Sequence, residues 1–340
     1  MHLTEEILTG VKCISKFTAL ILACSIPALV LSGCGSERAD LENAYDIYDT
    51  SALYGLTESE TNTEVKAFAQ DLCIAGYENS DGKDLYTQVA EGAGLFNVAT
   101  KTTGYAQNVH EKLYPASTTK ILTAYIALKY GDLDETVTVS QEALEGLDPS
   151  SSVCGIQPGD QLTLEQLLYG LMMCSGNDAA EVIAETISGS SEAFAELMNQ
   201  EARSLGAVDS HFVNPHGLPD ESHYTSVYDL YLIFNAAVKN EKFVDLIHTK
   251  EYKAVYKDKD GQEVTQDWKN TNKYLSGEEE TPKGVTVIGG KTGTTNAAGY
   301  CLVLLSENSK NEPIISIVLK ADGRSDLYLL MSQLLSNFSN

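Results

Sequence analysis

Three short strings concentrate the residue types that acyl chemistry needs: Ser117-Thr118-Thr119-Lys120, Ser175-Gly176-Asn177 and Lys291-Thr292-Gly293-Thr294. A serine hydroxyl is a weak nucleophile until a neighbouring base takes its proton. Lys120 follows Ser117 by three residues, a spacing at which side chains on a helix meet. A lysine whose pKa is lowered by burial or by a nearby cation can act as that base. A helix start also leaves N–H groups without intrahelical partners, so the Ser117 N–H is a candidate donor to an oxyanion. Ser175 offers a hydroxyl for proton relay, and Asn177 an amide able to hold the lysine and a substrate carbonyl. Lys291 and Thr292 supply a cation and a hydroxyl suited to a carboxylate. Gly293 lets a ligand approach the backbone closely, and the Thr294 N–H is a second oxyanion candidate. Taken singly, each string fits an ordinary part: a helix start, a helix junction, a glycine turn. Together and in this order they describe one acyl-transfer site.

Other chemistries fit less well. The first glycine of a P-loop ending in Gly290-Lys291-Thr292 would fall at position 285, which is valine, and the run continues into a strand rather than a helix. His211, His216 and His223 lie close together in sequence, but no His-Glu-x-x-His string accompanies them, so they read as structural and no metal is expected. No Gly-x-Ser-x-Gly elbow occurs either. Arg324 has two readings, a bidentate fork for a substrate carboxylate or a surface arginine before the last helix.

The elements that must position these residues are legible in outline. Leu72–Ala75 and Gly94–Ala99 read as strands, with Asn79-Ser80-Asp81-Gly82 as a turn. A helical pattern runs from Ser117 to Tyr130 and stops at Gly131. Thr163-Leu164-Glu165-Gln166 is a capping box, followed by Leu164, Leu167, Leu168, Leu171 and Met172 at helical spacing. Further helices are expected over Asp178–Ile187, Ser191–Leu205, Tyr228–Val238 and Asp326–Leu335. Val285–Ile288, Tyr300–Leu305 and Ile314–Leu319 are β-rich, the first two joined through Asn296-Ala297-Ala298-Gly299. The Lys291 string therefore ends or follows a strand and enters a hairpin. Strands at both ends with helices between predict an α+β fold, an antiparallel sheet backed by helices with a helical insert.

Longer strings carry a resemblance. Leu113-Tyr114-Pro115-Ala116 leads into the first motif, and Gln157-Pro158-Gly159-Asp160 with Leu168-Tyr169-Gly170-Leu171 precedes the second. Ser175-Gly176-Asn177-Asp178-Ala179-Ala180, Phe212-Val213-Asn214-Pro215-His216-Gly217-Leu218, His223-Tyr224, Gly290 to Thr295 and Ala298-Gly299-Tyr300 follow in order. From about Leu72 onward the chain is similar to low-molecular-mass D-alanyl-D-alanine carboxypeptidases of the penicillin-binding protein and serine β-lactamase superfamily. The resemblance implies a β-lactamase/transpeptidase-like fold, with Ser117 as acylated nucleophile and Lys120 as its base. Ser175 and Asn177 would serve relay and positioning. Lys291 and Thr292 would recognise a carboxylate and move a proton, beside Gly293 and Thr294. It implies peptidoglycan stem peptides as substrates, β-lactams as acylating inhibitors, and no cofactor. A class A β-lactamase would carry a glutamate after the second motif, but His211–His223 has no Glu-x-x-Leu-Asn, so slow β-lactam deacylation is expected. A D,D-endopeptidase would use the same site. A wall-binding protein without catalysis should have lost a motif residue.

The rest of the chain bounds the setting. Its 340 residues carry a formal charge of −25, a poor match to nucleic acid, whose binding needs clustered cations. Residues 1–33 read as a signal segment: Lys12 and Lys16 precede the apolar run Phe17–Leu31. Leu31-Ser32-Gly33-Cys34 resembles the lipobox of bacterial lipoproteins, which implies cleavage before Cys34 and lipid on its sulfur. An uncleaved anchor is the plainer alternative; both put the body outside the cytoplasm. Residues 34–67 read as a flexible acidic stalk and 68–340 as the catalytic domain, with the lipid as the only membrane attachment expected. Cys73, Cys154, Cys174 and Cys301 show no metal spacing and read as mostly buried free thiols.

Overall fold

The computed structural model describes residues 69–82, 85–148 and 150–338, all within one compact unit, Ala67–Asn340. The expected signal segment, Cys34 and the stalk lie outside the described residues. Among the described residues no helix is long and apolar enough to cross a membrane.

The architecture is α+β. Strands β1 (Ala90–Asn97) and β2 (Thr102–Gln107) form a hairpin, and helix α1 (Lys120–Tyr130) follows. Two short strands, β3 (Thr136–Thr138) and β4 (Gln161–Thr163), lead into α2 (Leu164–Met173), α3 (Asn177–Ser188), α4 (Ser191–Ser204), α5 (Val227–Ala237) and α6 (Glu241–His248). A second hairpin, β5 (Glu251–Lys257) and β6 (Glu263–Lys269), precedes three long strands: β7 (Thr286–Thr295), β8 (Gly299–Glu307) and β9 (Pro313–Ala321). Helix α7 (Arg324–Phe338) ends the described chain. The main sheet is antiparallel, in the order β2-β1-β9-β8-β7, and β7 is an edge.

Both faces of this sheet are covered. Leu95, Leu302, Leu304, Ile314 and Val318 pack with Leu327, Leu330, Met331 and Leu334 of α7. Phe96, Val303, Leu305, Ile315 and Ile317 face the other way, into the helical core. A strand buried on both sides gains on every residue, at roughly 1.5–3 kcal/mol per large aliphatic, so β8 and β9 read in sequence as unbroken apolar runs. At the centre of the helical half lies α1, whose residues 120–124, 126 and 127 are all buried. A helix enclosed on nearly every side needs no polar face, and this one delivers Lys120 into the interior.

The capping box holds: the Thr163 N–H donates to Gln166 Oε1 (2.9 Å) and the Gln166 N–H to Thr163 Oγ1 (3.2 Å). The four free thiols are as expected, three buried and Cys174 half-buried. Several expectations fail. Leu72–Ala75 is not a strand. Two tyrosines of α5 take the place of a ladder there: the Cys73 N–H donates to Tyr231 Oη (2.8 Å), and Tyr228 Oη donates to the Cys73 carbonyl (2.9 Å). Asn79–Gly82 is not a turn, because its polar groups are taken by β2 and the residue after it. The Ser80 N–H donates to the Ala106 carbonyl and Asn79 Oδ1 accepts from the Asn108 N–H. A second sheet, β3-β4-β5-β6, has no counterpart in the sequence reading, although Tyr252, Ala254 and Tyr256 alternate with charged or exposed residues as a half-buried strand requires.

Candidate active site

The Ser117 turn is a 3-10 segment, Ala116–Thr119, that passes directly into α1. The expected helix over 117–130 is thus α-helical only from Lys120. In a 3-10 turn residues i and i+3 eclipse, which stacks Lys120 beneath Ser117. Lys120 Nζ lies 3.1 Å from Ser117 Oγ, 2.7 Å from Asn177 Oδ1 and 2.8 Å from the His216 carbonyl. The turn is fixed by Thr118, whose Oγ1 donates to the Pro115 carbonyl (2.7 Å). Ala116 holds φ +47°, a left-handed conformation that costs a residue with a Cβ on the order of 1–3 kcal/mol. Gly217 is packed against it. A Cβ at Gly217 would stand 1.8 Å from the Ala116 carbonyl oxygen, so the loop carrying His216 has to have glycine there.

The second string joins α2 to α3. At a helix junction glycine is the usual left-handed residue, but Gly176 has φ −60° and the left-handed residue is Ser175, at φ +59°. That twist turns the Ser175 hydroxyl toward β7, where Lys291 Nζ donates to it (2.9 Å). The partner of Ser175 is therefore Lys291, while Lys120 is held by Asn177. Asn177 is the first residue of α3, and its N–H donates to the Ser152 carbonyl (2.8 Å).

The third string takes the first of its two expected placements: it forms the last part of β7 and leads into the hairpin with β8. The strand runs unbroken from Thr286 to Thr295, with Thr292 opposite Leu302 and Thr294 opposite Tyr300. Lys291 also donates to the Thr292 carbonyl (2.8 Å), and Thr292 Oγ1 meets Thr271 Oγ1 at 2.5 Å. A Cβ on Gly293 would stand 2.9 Å from the Ser117 nitrogen, so glycine is what lets β7 close on the nucleophile turn.

A cleft of about 320 Å³ opens between these parts, lined by Ser117, Ser175, Thr292, Gly293, Thr294 and Arg324, with Asn270 and Thr271 from the segment after β6. A second hollow of about 280 Å³ meets it at Ser117 and Thr294, bounded by Ser150–Ser152, Asn177 and Leu218. Ser117 thus sits at the junction of two recesses, one for each side of a bond under attack. Arg324 is exposed at the start of α7 and lines the cleft, with its guanidinium over the Tyr300 ring at 5.9 Å.

Two lysine side chains end in one buried volume, Lys120 at 0% exposure and Lys291 at 1%. Among the described residues neither forms an ion pair. Burial, and then the charge of Lys291, hold the Lys120 pKa well below that of a free lysine, partly countered by Asp178 and Glu181. Burial lowers Lys291 to about 7. Two adjacent buried ammonium groups cannot both stay charged near neutrality, so a neutral amine is available. When Lys120 is that amine, its N–H groups are taken by two oxygens that only accept, Asn177 Oδ1 and the His216 carbonyl. Its lone pair is left for the Ser117 hydroxyl proton.

The three strings converge as described, together with Arg324. Sequence reasoning missed the His216 carbonyl, because a main-chain acceptor leaves no residue-type signature. It missed Asn270 and Thr271 because the hairpin before them was missed. Two of the three histidines do not join: His211 Nδ1 donates to the Ser222 carbonyl, while His223 is buried against Thr119 with its pKa lowered to about 3, chiefly by burial. Among the described residues no cluster of histidine, cysteine or carboxylate groups suits a metal ion.

A family model described as D-alanyl-D-alanine carboxypeptidase matches residues 83–323. The D-alanyl-D-alanine carboxypeptidase DacF of Bacillus subtilis is 33% identical over 254 residues, covering 73% of this chain and 62% of that protein. The D-alanyl-D-alanine carboxypeptidase of Streptomyces sp. strain K15 is 36% identical over 227 residues, covering 64% and 76%. The solved structure of the Streptomyces K15 DD-transpeptidase superposes with a TM-score of 0.65 at 33% identity, over 72% of this chain and 96% of that one. The chain spans 62% of the length of the Bacillus relative and 52% of DacA from Haemophilus influenzae.

Proposed function

We propose that this chain, which belongs to the D-alanyl-D-alanine carboxypeptidase family, removes the terminal D-Ala from peptidoglycan stem pentapeptides through an acyl-enzyme on Ser117. The observation that carries this reading is the setting of Lys120, a buried amine 3.1 Å from Ser117 Oγ with its other two contacts made to obligate acceptors.

The stem peptide lies along the free edge of β7, adding a strand to the sheet. Its terminal carboxylate points to Arg324, Lys291 and Thr292, and its upstream part occupies the hollow beyond Ser117. Ser117 gives its proton to Lys120 as Oγ bonds to the penultimate D-Ala carbonyl carbon. The Ser117 and Thr294 N–H groups hold the resulting oxyanion. The C–N bond to terminal D-Ala breaks, and its nitrogen takes a proton from Ser175, which Lys291 replenishes. The proton on Lys120 then passes to the now neutral Lys291, which restores both lysines; water attacks the ester, Lys120 takes its proton and returns it to Ser117 Oγ as the ester C–O bond breaks. A β-lactam opens on Ser117 in the same way and is released slowly, since the 211–223 loop carries no Glu-x-x-Leu-Asn string to activate the water. The reading extends to the N-terminal segment: cleavage before Cys34 and lipid on its sulfur hold the protein on the outer side of the cell membrane, with no nucleic-acid partner.

Intact-protein mass tests the reading. After benzylpenicillin, a lasting penicilloyl adduct on Ser117 is expected, and a D-Ala-D-Ala pentapeptide should lose one D-Ala. Rapid return to the unmodified mass with hydrolysed penicillin would make the protein a β-lactamase instead. Cleavage of crosslinked dimers without D-Ala release would make it an endopeptidase.

A further inference from the structure

We infer that Glu181, through the side chain of His216, is a positioning residue for the base Lys120, an inference that rests on the function proposed above. One of the two oxygens that orient Lys120 is the His216 carbonyl (2.8 Å). That carbonyl sits on a loop, not on a regular element, so something else must hold it. The His216 ring does so from both ends, beside Asn214 Oδ1, which accepts the Gly217 N–H of the same peptide (2.7 Å). Its Nδ1 accepts the Leu218 N–H (3.1 Å), so Nε2 carries the proton and donates to Glu181 Oε1 (2.9 Å). The ring is 7% exposed, and burial lowers its pKa, which keeps it neutral.

Glu181 stands one helical turn after Asn177 on α3, a spacing that puts both on one face. The same helix therefore supplies both fixed acceptors of Lys120, Asn177 directly and the His216 carbonyl through Glu181. Glu181 also acts by charge, since its carboxylate raises the Lys120 pKa and opposes burial and Lys291. Lys120 is faced by Lys291 from β7, Asp178 and Glu181 from α3, and His216 from the loop. On its outer side the pair borders a hollow also lined by Glu142, Glu145, Glu185 and Glu192.

The two actions separate by substitution. Glu181→Gln keeps an oxygen for His216 Nε2–H but removes the charge. Glu181→Ala leaves that N–H without its partner. The probes are benzylpenicillin acylation and D-Ala release against pH, with Lys120 titrated directly by carbon-13 resonance of its ε-methylene. Glu181→Gln is expected to keep the plateau rate within about threefold of the parent and to move the acid limb and the Lys120 titration down by roughly half to one pH unit, a three- to tenfold change in proton affinity. Glu181→Ala should show the same titration shift with a plateau lowered about tenfold and KM nearly unchanged. Parent-like limbs and plateaus in both variants, or a loss of melting temperature alone, would overturn the inference while leaving the proposed function in place. A parent enzyme that neither binds penicillin covalently nor releases D-Ala would overturn both. If Glu181→Ala does not fold, the limb and titration of Glu181→Gln still decide.

Discussion

The two walls of the cleft are built on opposite plans. The helical wall brings Ser117, Lys120, Ser175 and Asn177 from element ends and junctions, with Ala116 and Ser175 in left-handed conformations. The sheet wall is a regular strand, in which Lys291 to Thr294 keep ladder pairing with Val303 to Tyr300. Reacting groups have to converge at angles that regular elements do not offer, so strain collects on the first wall. A peptide substrate needs only an extended edge to pair with, so the second wall stays ideal. The contrast extends to the lysines: Lys120 is held by two oxygens that fix its lone pair, whereas Lys291 is held by a hydroxyl and its own strand.

The comparison is broken most directly at the nucleophile. Ser117→Ala should lower D-Ala release by at least about 10⁴-fold and abolish the penicilloyl adduct, with the melting temperature unchanged. Residual turnover near the parent rate would remove Ser117 from the chemistry. Gly293→Ala attacks the seam between the walls. Its new Cβ would push against the Ser117 nitrogen, so acylation should fall about 10²-fold, the scale of losing one oxyanion donor. Circular dichroism should show the fold intact.

Arg324→Ala sharpens the assignment of the sheet wall to binding. It should raise KM for pentapeptide about tenfold and lower kcat much less, since a carboxylate contact is made in ground and transition states alike. An equal fall in kcat would move Arg324 into the chemical step. The smallest effect is the difference in titration between the lysines. Acylation needs Lys120 neutral, so kcat/KM should rise with pH as Lys120 loses its proton. It needs Lys291 charged for the carboxylate, so kcat/KM should fall again as pH passes about 7. For Ser117 acylation by an uncharged carbonyl reagent whose leaving group departs without a proton, the alkaline fall should disappear while the acid rise stays.

Much of this site could be read before any fold was known, for reasons that differ by residue. Ser117 and Lys120 declare themselves because an i, i+3 pair stays close in either an α or a 3-10 turn. Ser175-Gly176-Asn177 reads as a helix junction whichever residue turns left-handed, but that it is Ser175 follows from how α2 and α3 pack, not from glycine preference. Lys291–Thr294 reads as ending or following a strand, because Gly293 between two threonines resembles a turn. Pairing with β8 overrides that local preference. The β5–β6 hairpin alternates as a strand should, yet its many charges read as a polar connection until it is seen resting against α2 through Tyr252 and Tyr169, whose rings stack at 3.8 Å.

Covalent spacing and hydrophobic pattern, which are local, are enough to give the order of the motifs, the helices that carry them and the antiparallel class of the sheet. The sequence alone also determined which side chains can act as nucleophile, base and carboxylate partner. Only the tertiary structure decided which lysine faces which serine, and that the base is aimed by a main-chain carbonyl on a distant loop. It also decided that both amines are buried, which lowers the proton affinity of each. Those properties depend on distances between segments far apart in the chain and on the exclusion of water around them, and neither is written in the identity of any single residue.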